Sequence, residues 1–420
     1  MIASLDQGQS FVQAIFKEIS DIVASQKDSE RVLNELVRRV GRMLEVNRCS
    51  LMLIEPGGKT LRIRAAHGIA PDVVKAARIR MGEGIAGWVA LHGRPLLVKD
   101  VATHPLFKRQ SAAHYSTRSL LSVPLLFRDR VIGVLNVNNK RDGAVFKESD
   151  QVLLSTVANF LVIALEKAEL REVEEEKKRI DFELDLAQDI QQAFLPKAFP
   201  AGGNLQFAAY CHSARKVAGD FYDVLPLIGN MQVVLLGDVC GKGIAAALYM
   251  ARVMSYFRAV ASLRNDAEGL LPYVNRFLAR EWCDRTFATA LMVVINMDRS
   301  TASIYGAGHS PPYLICEKRG TLSPVAVKNG LPLGVDENCE YDGSDLTLES
   351  GDSLVLYTDG ITDAVDGNGE FFGAARLEEV LRTHHGQPDA LVSAVAQAVS
   401  YFSTGQPQTD DQTILVVRRT

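Results

Sequence analysis

Little in this chain points to nucleic acid, a membrane or an oxidising compartment. Its 46 Lys and Arg against 50 Asp and Glu leave a formal net charge of −4, without the basic excess that a nucleic-acid-binding face needs. By composition no apolar run approaches the length of a bilayer span, and Met1–Ser10 lacks a basic-plus-apolar leader, so a cytoplasmic protein is expected. The six cysteines (Cys49, Cys211, Cys240, Cys283, Cys316, Cys339) are scattered with no C-x-x-C pair, which argues against a disulfide frame and a thiolate zinc site. Gly and Pro are missing from Glu148 to Phe194, and with them any flexible linker in that stretch. At 420 residues the chain exceeds one ordinary core, so two or three domains are expected.

What is present is acidic and patterned. Gly219–Gly243 reads GDFYDVLPLIGNMQVVLLGDVCGKG. Val224–Leu227 and Met231–Leu236, with Gly229-Asn230 between them, predict a β-hairpin. Asp220 leads into its first strand and Asp238 follows its second, so both carboxylates fall at one end. Two further acidic strand ends follow: Asp359 after Leu354–Thr358, and Asp410-Asp411 before the strand Thr413–Val417. A single Gly-Asp pair is an ordinary turn. Four carboxylate stations at strand ends are what a hard cation such as Mg²⁺ or Mn²⁺ requires, because clustered aspartates repel unless a metal neutralises them.

AGDFYD (218–223), GDVCGKG (237–243), Ala307-Gly308-His309-Ser310-Pro311-Pro312, LYTDG (356–360) and TDDQT (409–413), in that order, resemble a PPM-type serine/threonine phosphatase of the bacterial SpoIIE/RsbU-like branch. The resemblance covers residues 185–420. It implies an α/β/β/α sandwich carrying two Mn²⁺ or Mg²⁺ ions at one edge. By position, Asp220 would hold one ion, Asp238 would bridge both with the Val239 backbone carbonyl beside it, and Asp359 and Asp410 would hold the other. Asp411 would support the last ligand, and Asp223 would orient water or serve a turn. Many members place an Arg four residues before the first acidic ligand to hold phosphate; here Lys216 stands there, with Arg215 beside it. The bridged ions would polarise phosphoryl oxygens and acidify a water that attacks phosphorus without a covalent enzyme intermediate. His309 is the best-placed histidine, but its turn suits a loop-holding role better than a catalytic acid. Cys240-Gly241-Lys242-Gly243 lacks the remaining residues of a phosphate loop.

The N-terminal half has an amphipathic helix at Phe11–Val23 and a second at Ser29–Leu44, then strands at Ser50–Glu55, Leu61–His67, Leu120–Phe127 and Arg130–Val137. GEGIAGWVA (82–90), RPLLVKDV (94–101), SLLSVPLLFRDRVIGVLNVNNK (119–140) and the FKESD from Phe146 resemble a GAF domain, a sensory module or dimerising scaffold whose small-molecule ligand is unknown here. Gly82-Glu83-Gly84-Ile85-Ala86-Gly87 satisfies the dinucleotide fingerprint, but Val73–Arg80 before it reads as helical or irregular and no parallel βαβ unit follows. Asn139-Lys140 with Phe146 and Asp150 approximates a cyclic-nucleotide signature, broken at Gln151.

Glu148–Phe194 reads as one helix. Its first part, Val152–Leu165, is apolar; its second is densely charged, with Val173, Ile180, Ala187 and Phe194 recurring every seven residues and Leu184 and Ile190 between them, the seam of a short parallel coiled coil. The expected organisation is multidomain α+β: an N-terminal helix (1–24), a GAF sensory domain (25–165), a helical coiled-coil linker (166–199) and a PPM phosphatase domain (200–420). The resemblance further implies a phosphorylated STAS-domain antagonist as substrate in a partner-switching pathway, a homodimer through GAF and linker helices, and no nucleic-acid partner. The alternatives are a catalytically silent PPM-fold scaffold acting as a binding module and, more distantly, a two-metal nucleotide enzyme.

Overall fold

The structure is a computed structural model and describes residues 29–101, 104, 119–200, 203–263, 267–280, 286–384 and 386–420. The helix expected at Phe11–Val23, and with it the proposed segment 1–24, lies outside these residues. The chain divides into two compact units, with the boundary between Lys178 and Arg179.

Among the described residues, the first element of the N-terminal unit is α1 (Ser29–Met43). Val32, Leu33, Leu36, Val37 and Val40 recur at helical spacing and are all buried. Strands β1 (Val46–Ile54) and β2 (Thr60–His67), helix α2 (Pro71–Ala76), strand β3 (Arg78–Arg80), helix α3 (Gly84–His92) and strands β4 (Leu96–Val98), β5 (Leu120–Phe127) and β6 (Arg130–Lys140) follow. The strands form one antiparallel sheet in the order β3-β2-β1-β6-β5-β4. One face is covered by α1 and by Leu154–Leu165 of the long helix α4 (Glu148–Gln192), the other by α3. A cavity of about 330 Å³ beside α3 is lined by Ser50, Arg78, Glu83, Asn136 and Asn138 among others.

Two motifs of this unit resolve into architecture. A strand, β3, does precede Gly82, contrary to the helical or irregular reading of Val73–Arg80, but it is a three-residue edge strand antiparallel to β2. The glycines serve the turn. Gly82 and Gly84 have φ of +84° and +59°, and a Cβ on Gly87 would lie 2.3 Å from the Arg80 carbonyl oxygen. Asn139-Lys140…Phe146…Asp150 is likewise a packing device: Lys140 Nζ lies 2.9 Å from Asp150 Oδ2 and over the Phe146 ring.

The C-terminal unit contains β7 (Leu205–His212), β8 (Phe221–Leu227), β9 (Met231–Val239), α5 (Ile244–Leu263), α6 (Leu270–Arg280), β10 (Ala288–Asn296), β11 (Thr301–Ala307), β12 (Tyr313–Cys316), β13 (Thr321–Pro324), β14 (Asn329–Gly330), β15 (Ser344–Thr347), β16 (Ser353–Tyr357), α7 (Asp359–Thr362), α8 (Gly373–Thr383), α9 (Pro388–Phe402) and β17 (Gln412–Arg419). One sheet runs β14-β11-β10-β9-β8, with β15 also on β11; the other runs β13-β12-β16-β17-β7. Strand alternation produces four layers. In β9, Val233 and Leu235 face α5 and α6, while Val234 and Leu236 face the second sheet. In β17, Ile414 and Val416 face α8 and α9, while Leu415 and Val417 face the first sheet. The central strands β9, β10, β16 and β17 bury both faces, so they read as near-continuous apolar runs. The result is the expected α/β/β/α sandwich.

Helix α4 is continuous to Gln192. Val173, Ile180 and Ile190 of the expected seam are exposed on it. Phe194 is not part of that stripe: it lies beyond the helix end and packs with Leu195 on the core under α5 and α6. The α4 and α5 helices each contain an 18-residue window apolar enough to cross a membrane by length and composition, which corrects the reading from composition. Both windows contribute residues to the core clusters, Leu154–Leu165 to one and Ala246–Val260 to another.

Candidate metal centre

The same alternation that builds the sandwich aims the carboxylates. On β8, Tyr222 and Val224 face the inter-sheet space, and Asp220 shares their parity just before the strand. On β9, Val234 and Leu236 face it, and Asp238 continues that row inside the strand, opposite Thr289 of β10. Phe221 pairs with Gly237, so Asp220 and Asp238 share one end of the hairpin. In the second sheet, Leu354 and Leu356 lead to Thr358, after which Asp359 starts α7, a one-turn helix in place of the expected strand end. Asp410 and Asp411 enter β17 alongside. A Cβ on Gly360 would lie 1.9 Å from the Asp411 carbonyl oxygen, and one on Gly219 would lie 2.9 Å from the Val239 carbonyl oxygen and 3.1 Å from Asp238 Oδ1. Only glycine permits these two close approaches, which bring the four segments to one edge.

The carboxylates are partly neutralised by their surroundings and partly repel one another. Asp220 is 1% exposed and accepts a 2.8 Å hydrogen bond from Thr358 Oγ1. Burial and the nearby Asp238 carboxylate raise its pKa. Asp238 is pushed up to about 7 by burial, then by Asp359 and Asp410. Asp359 is raised by burial, then by Asp363 and Asp410. Asp411 holds the loop instead: the Ala214 and Gly219 backbone N–H groups donate to its two oxygens at 2.8 and 2.6 Å.

This donor set suits a hard divalent cation: carboxylate oxygens from four segments, with Asp220 buried and Asp220, Asp238 and Asp359 raised by burial and then by neighbouring acids. Among the described residues no three such side chains are drawn closely enough to hold an ion as they stand. Lys242 gives the cluster a partial counter-charge, its Nζ 2.9 Å from Asp410 Oδ2 and bonded to the Thr409 carbonyl.

Other expected residues fall elsewhere. Asp223 is not in the cluster. Three positions from Asp220 on a strand, it faces the opposite layer, where Arg258 Nε lies 2.7 Å from its Oδ2. Lys216 is held by Asp185 of α4, and Arg215 is exposed. His309 is buried, with Nδ1 2.7 Å from Thr289 Oγ1 and Nε2 3.1 Å from the Tyr357 carbonyl oxygen. Burial lowers its pKa to about 4, so it is a neutral pin between the two sheets and not an acid. Sequence reasoning missed Gln191, a buried amide bonded to Ala218 on both its donor and acceptor sides.

Comparison with known proteins places two families on the chain: "GAF domain" over residues 28–165 and "Stage II sporulation protein E (SpoIIE)" over residues 229–420. Asp238, Asp359 and Asp410 fall in the second match, and Asp220 precedes it. Protein IcfG of Synechocystis sp. is 29% identical over 264 residues, 56% of this chain and 41% of that protein. Phosphoserine phosphatase RsbU of Bacillus subtilis is 26% identical over 268 residues, 64% of this chain and 78% of that one. This chain therefore spans less than half of IcfG but most of RsbU. The solved SiaA-PP2C domain of Pseudomonas aeruginosa shares the fold, with a TM-score of 0.52 and 24% identity, covering 58% of this chain and 99% of that domain.

Proposed function

We propose that this chain, a GAF domain joined to a SpoIIE/RsbU-like serine/threonine phosphatase domain of the PPM class, hydrolyses phosphoserine or phosphothreonine on a regulatory protein under control of its GAF domain. The observation that carries this reading is the convergence of Asp220, Asp238, Asp359 and Asp410 from four chain segments at one sandwich edge, with Asp238 pushed up to about 7 by burial and its acidic neighbours. In this reading Asp220, Asp238, the Val239 backbone carbonyl, Asp359 and Asp410 would hold two divalent ions, whether Mn²⁺ or Mg²⁺. When bound, the ions supply charge neutralisation and an acidified water.

The chain's own contribution is positional. Thr358 orients the Asp220 carboxylate, Asp411 holds the preceding loop, and His309 spans the sheets that carry Asp238 and Asp359. Lys242 beside Asp410, exposed Arg215 and Lys216 would give the rim positive charge for a phosphoryl group. We take the substrate to be a phosphorylated STAS-domain antagonist of a partner-switching pathway, as the resemblance to the SpoIIE/RsbU-like branch implies; the name of RsbU itself says only that it is a phosphoserine phosphatase. The chain works in the cytoplasm as a parallel homodimer through GAF and linker helices, whose exposed stripe includes Val173, Ile180 and Ile190.

The deciding measurement is phosphate release from a phosphoserine-bearing STAS-domain protein with Mn²⁺ or Mg²⁺. Turnover that stops with chelator and returns with metal supports the reading. Tight binding of the phosphoprotein with no release under either cation would leave the scaffold reading in its place.

A further inference from the structure

We infer that Gln191 is a positioning residue for the metal centre: together with Arg258 it makes the segment carrying Asp220 depend on the last turn of the linker helix. The inference rests on the metal-centre reading above. Residues 171–180 are exposed along α4, and exposed positions continue to Ile190, yet Gln191 is only 8% exposed. A buried carboxamide needs partners for its donor and its acceptor, and this one finds both on a single residue. Gln191 Nε2 donates to the Ala218 carbonyl oxygen at 2.6 Å, and the Ala218 N–H donates to Gln191 Oε1 at 2.9 Å. The side chain thereby pairs with the backbone as a neighbouring strand would.

Ala218 stands two residues before Asp220. Gly219 between them donates its N–H to Asp411 Oδ2 at 2.6 Å and sits against Val239 and Asp238 with no room for a side chain. The Ala218 and Gly219 N–H groups on the path from helix to ligand are therefore both tied by hydrogen bonds. A second tie lies on the other side. Arg258 Nη2 donates to the Phe194 carbonyl oxygen at 2.5 Å, and its Nε donates to Asp223 Oδ2 at 2.7 Å, three residues after Asp220. The chain at 191–194 is thus fastened to both flanks of Asp220, and all the residues concerned belong to the C-terminal unit. A shift of this last turn along or around its axis moves Ala218 and Asp223 with it, or breaks the bonds and frees them. Either outcome alters where Asp220 stands relative to Asp238, and so the affinity for cation.

The test uses the full chain with Gln191→Ala, Arg258→Gln and, as a control on the exposed helix surface, Glu183→Gln. Mn²⁺ affinity is measured by calorimetry, and hydrogen exchange of residues 214–223 is measured with chelator present. The expected result for Gln191→Ala is at least about fivefold weaker Mn²⁺ binding, the scale of one lost buried hydrogen bond, together with faster exchange at Ala218 and Gly219. Arg258→Gln should move both readouts in the same direction, and keeps the test open if Gln191→Ala does not fold. Glu183→Gln should change neither. A merely structural role would lower the melting temperature while leaving the Mn²⁺ constant of folded variants at the wild-type value, and that result overturns the inference alone. Failure of the wild type to bind Mn²⁺ would overturn the metal-centre reading and this inference with it.

Discussion

His309 allows a quantitative test of how the two sheets are joined. It is buried, with Nδ1 facing Thr289 Oγ1 and Nε2 facing the Tyr357 carbonyl, and burial lowers its pKa to about 4 from an ordinary 6.5. The folded state therefore binds this proton more weakly than the unfolded state does. Stability is full above pH 6.5 and falls as pH drops toward 4. Taking the two pKa values, the loss between pH 7.5 and 5.0 is about 2 kcal/mol, approaching about 3 kcal/mol below pH 4. Asp238 works in the opposite sense, since its raised pKa makes the metal-free fold more stable as pH falls, so the measurement must be differential. Urea unfolding of the C-terminal unit, followed by pulse proteolysis in the full chain with chelator, would be compared at the two pH values for wild type and His309→Gln. The wild type should lose about 2 kcal/mol more than the variant over that interval. Equal losses would mean that His309 is hydrated or already charged in the fold, and the pin between the sheets would be wrong.

Asp238→Asn should abolish turnover on a phosphoserine substrate, and with chelator at pH 8 it should melt above the wild type by several degrees, because a repelled carboxylate is removed; a lower melting temperature would contradict the repulsion. Gly360→Ala must displace the Asp411 carbonyl that lies 1.9 Å from the new Cβ, so we expect a stability loss of about 1–3 kcal/mol and strongly weakened Mn²⁺ binding, both read on the purified variant. Ile180→Glu places a charge on the exposed stripe of α4 and should shift sedimentation toward monomer; an unchanged sedimentation coefficient would leave the linker a solvated spacer.

Much of this was readable from local pattern. The hairpin 224–236 was placed by its apolar runs and its Gly229-Asn230 turn, whose φ values of +81° and +55° confirm left-handed backbone. The observed strands run longer, Phe221–Leu227 and Met231–Val239, so Asp238 lies inside its strand. The position of Asp223 was also readable, because residues 220 and 223 on a strand face opposite sides; the error lay in grouping them by proximity along the chain. Phe194 was assigned to the linker seam by its seven-residue spacing, but spacing cannot show that the helix stops at Gln192 and that the core takes the next aromatic residue.

By itself, then, the sequence determined the kind of most elements, the two-residue alternation that buries both faces of the central sandwich strands, and four acidic stations in or beside strands, since these are properties of a few neighbouring residues. Tertiary structure decided which of those acids meet. The bond from Gly219 to Asp411 spans 192 residues of chain and that from His309 to Tyr357 spans 48, and neither partner carries a local sign of the other. The same holds for Gln191, whose surroundings in the sequence are a charged, exposed helix, and which is buried only because a loop 27 residues later folds back against it.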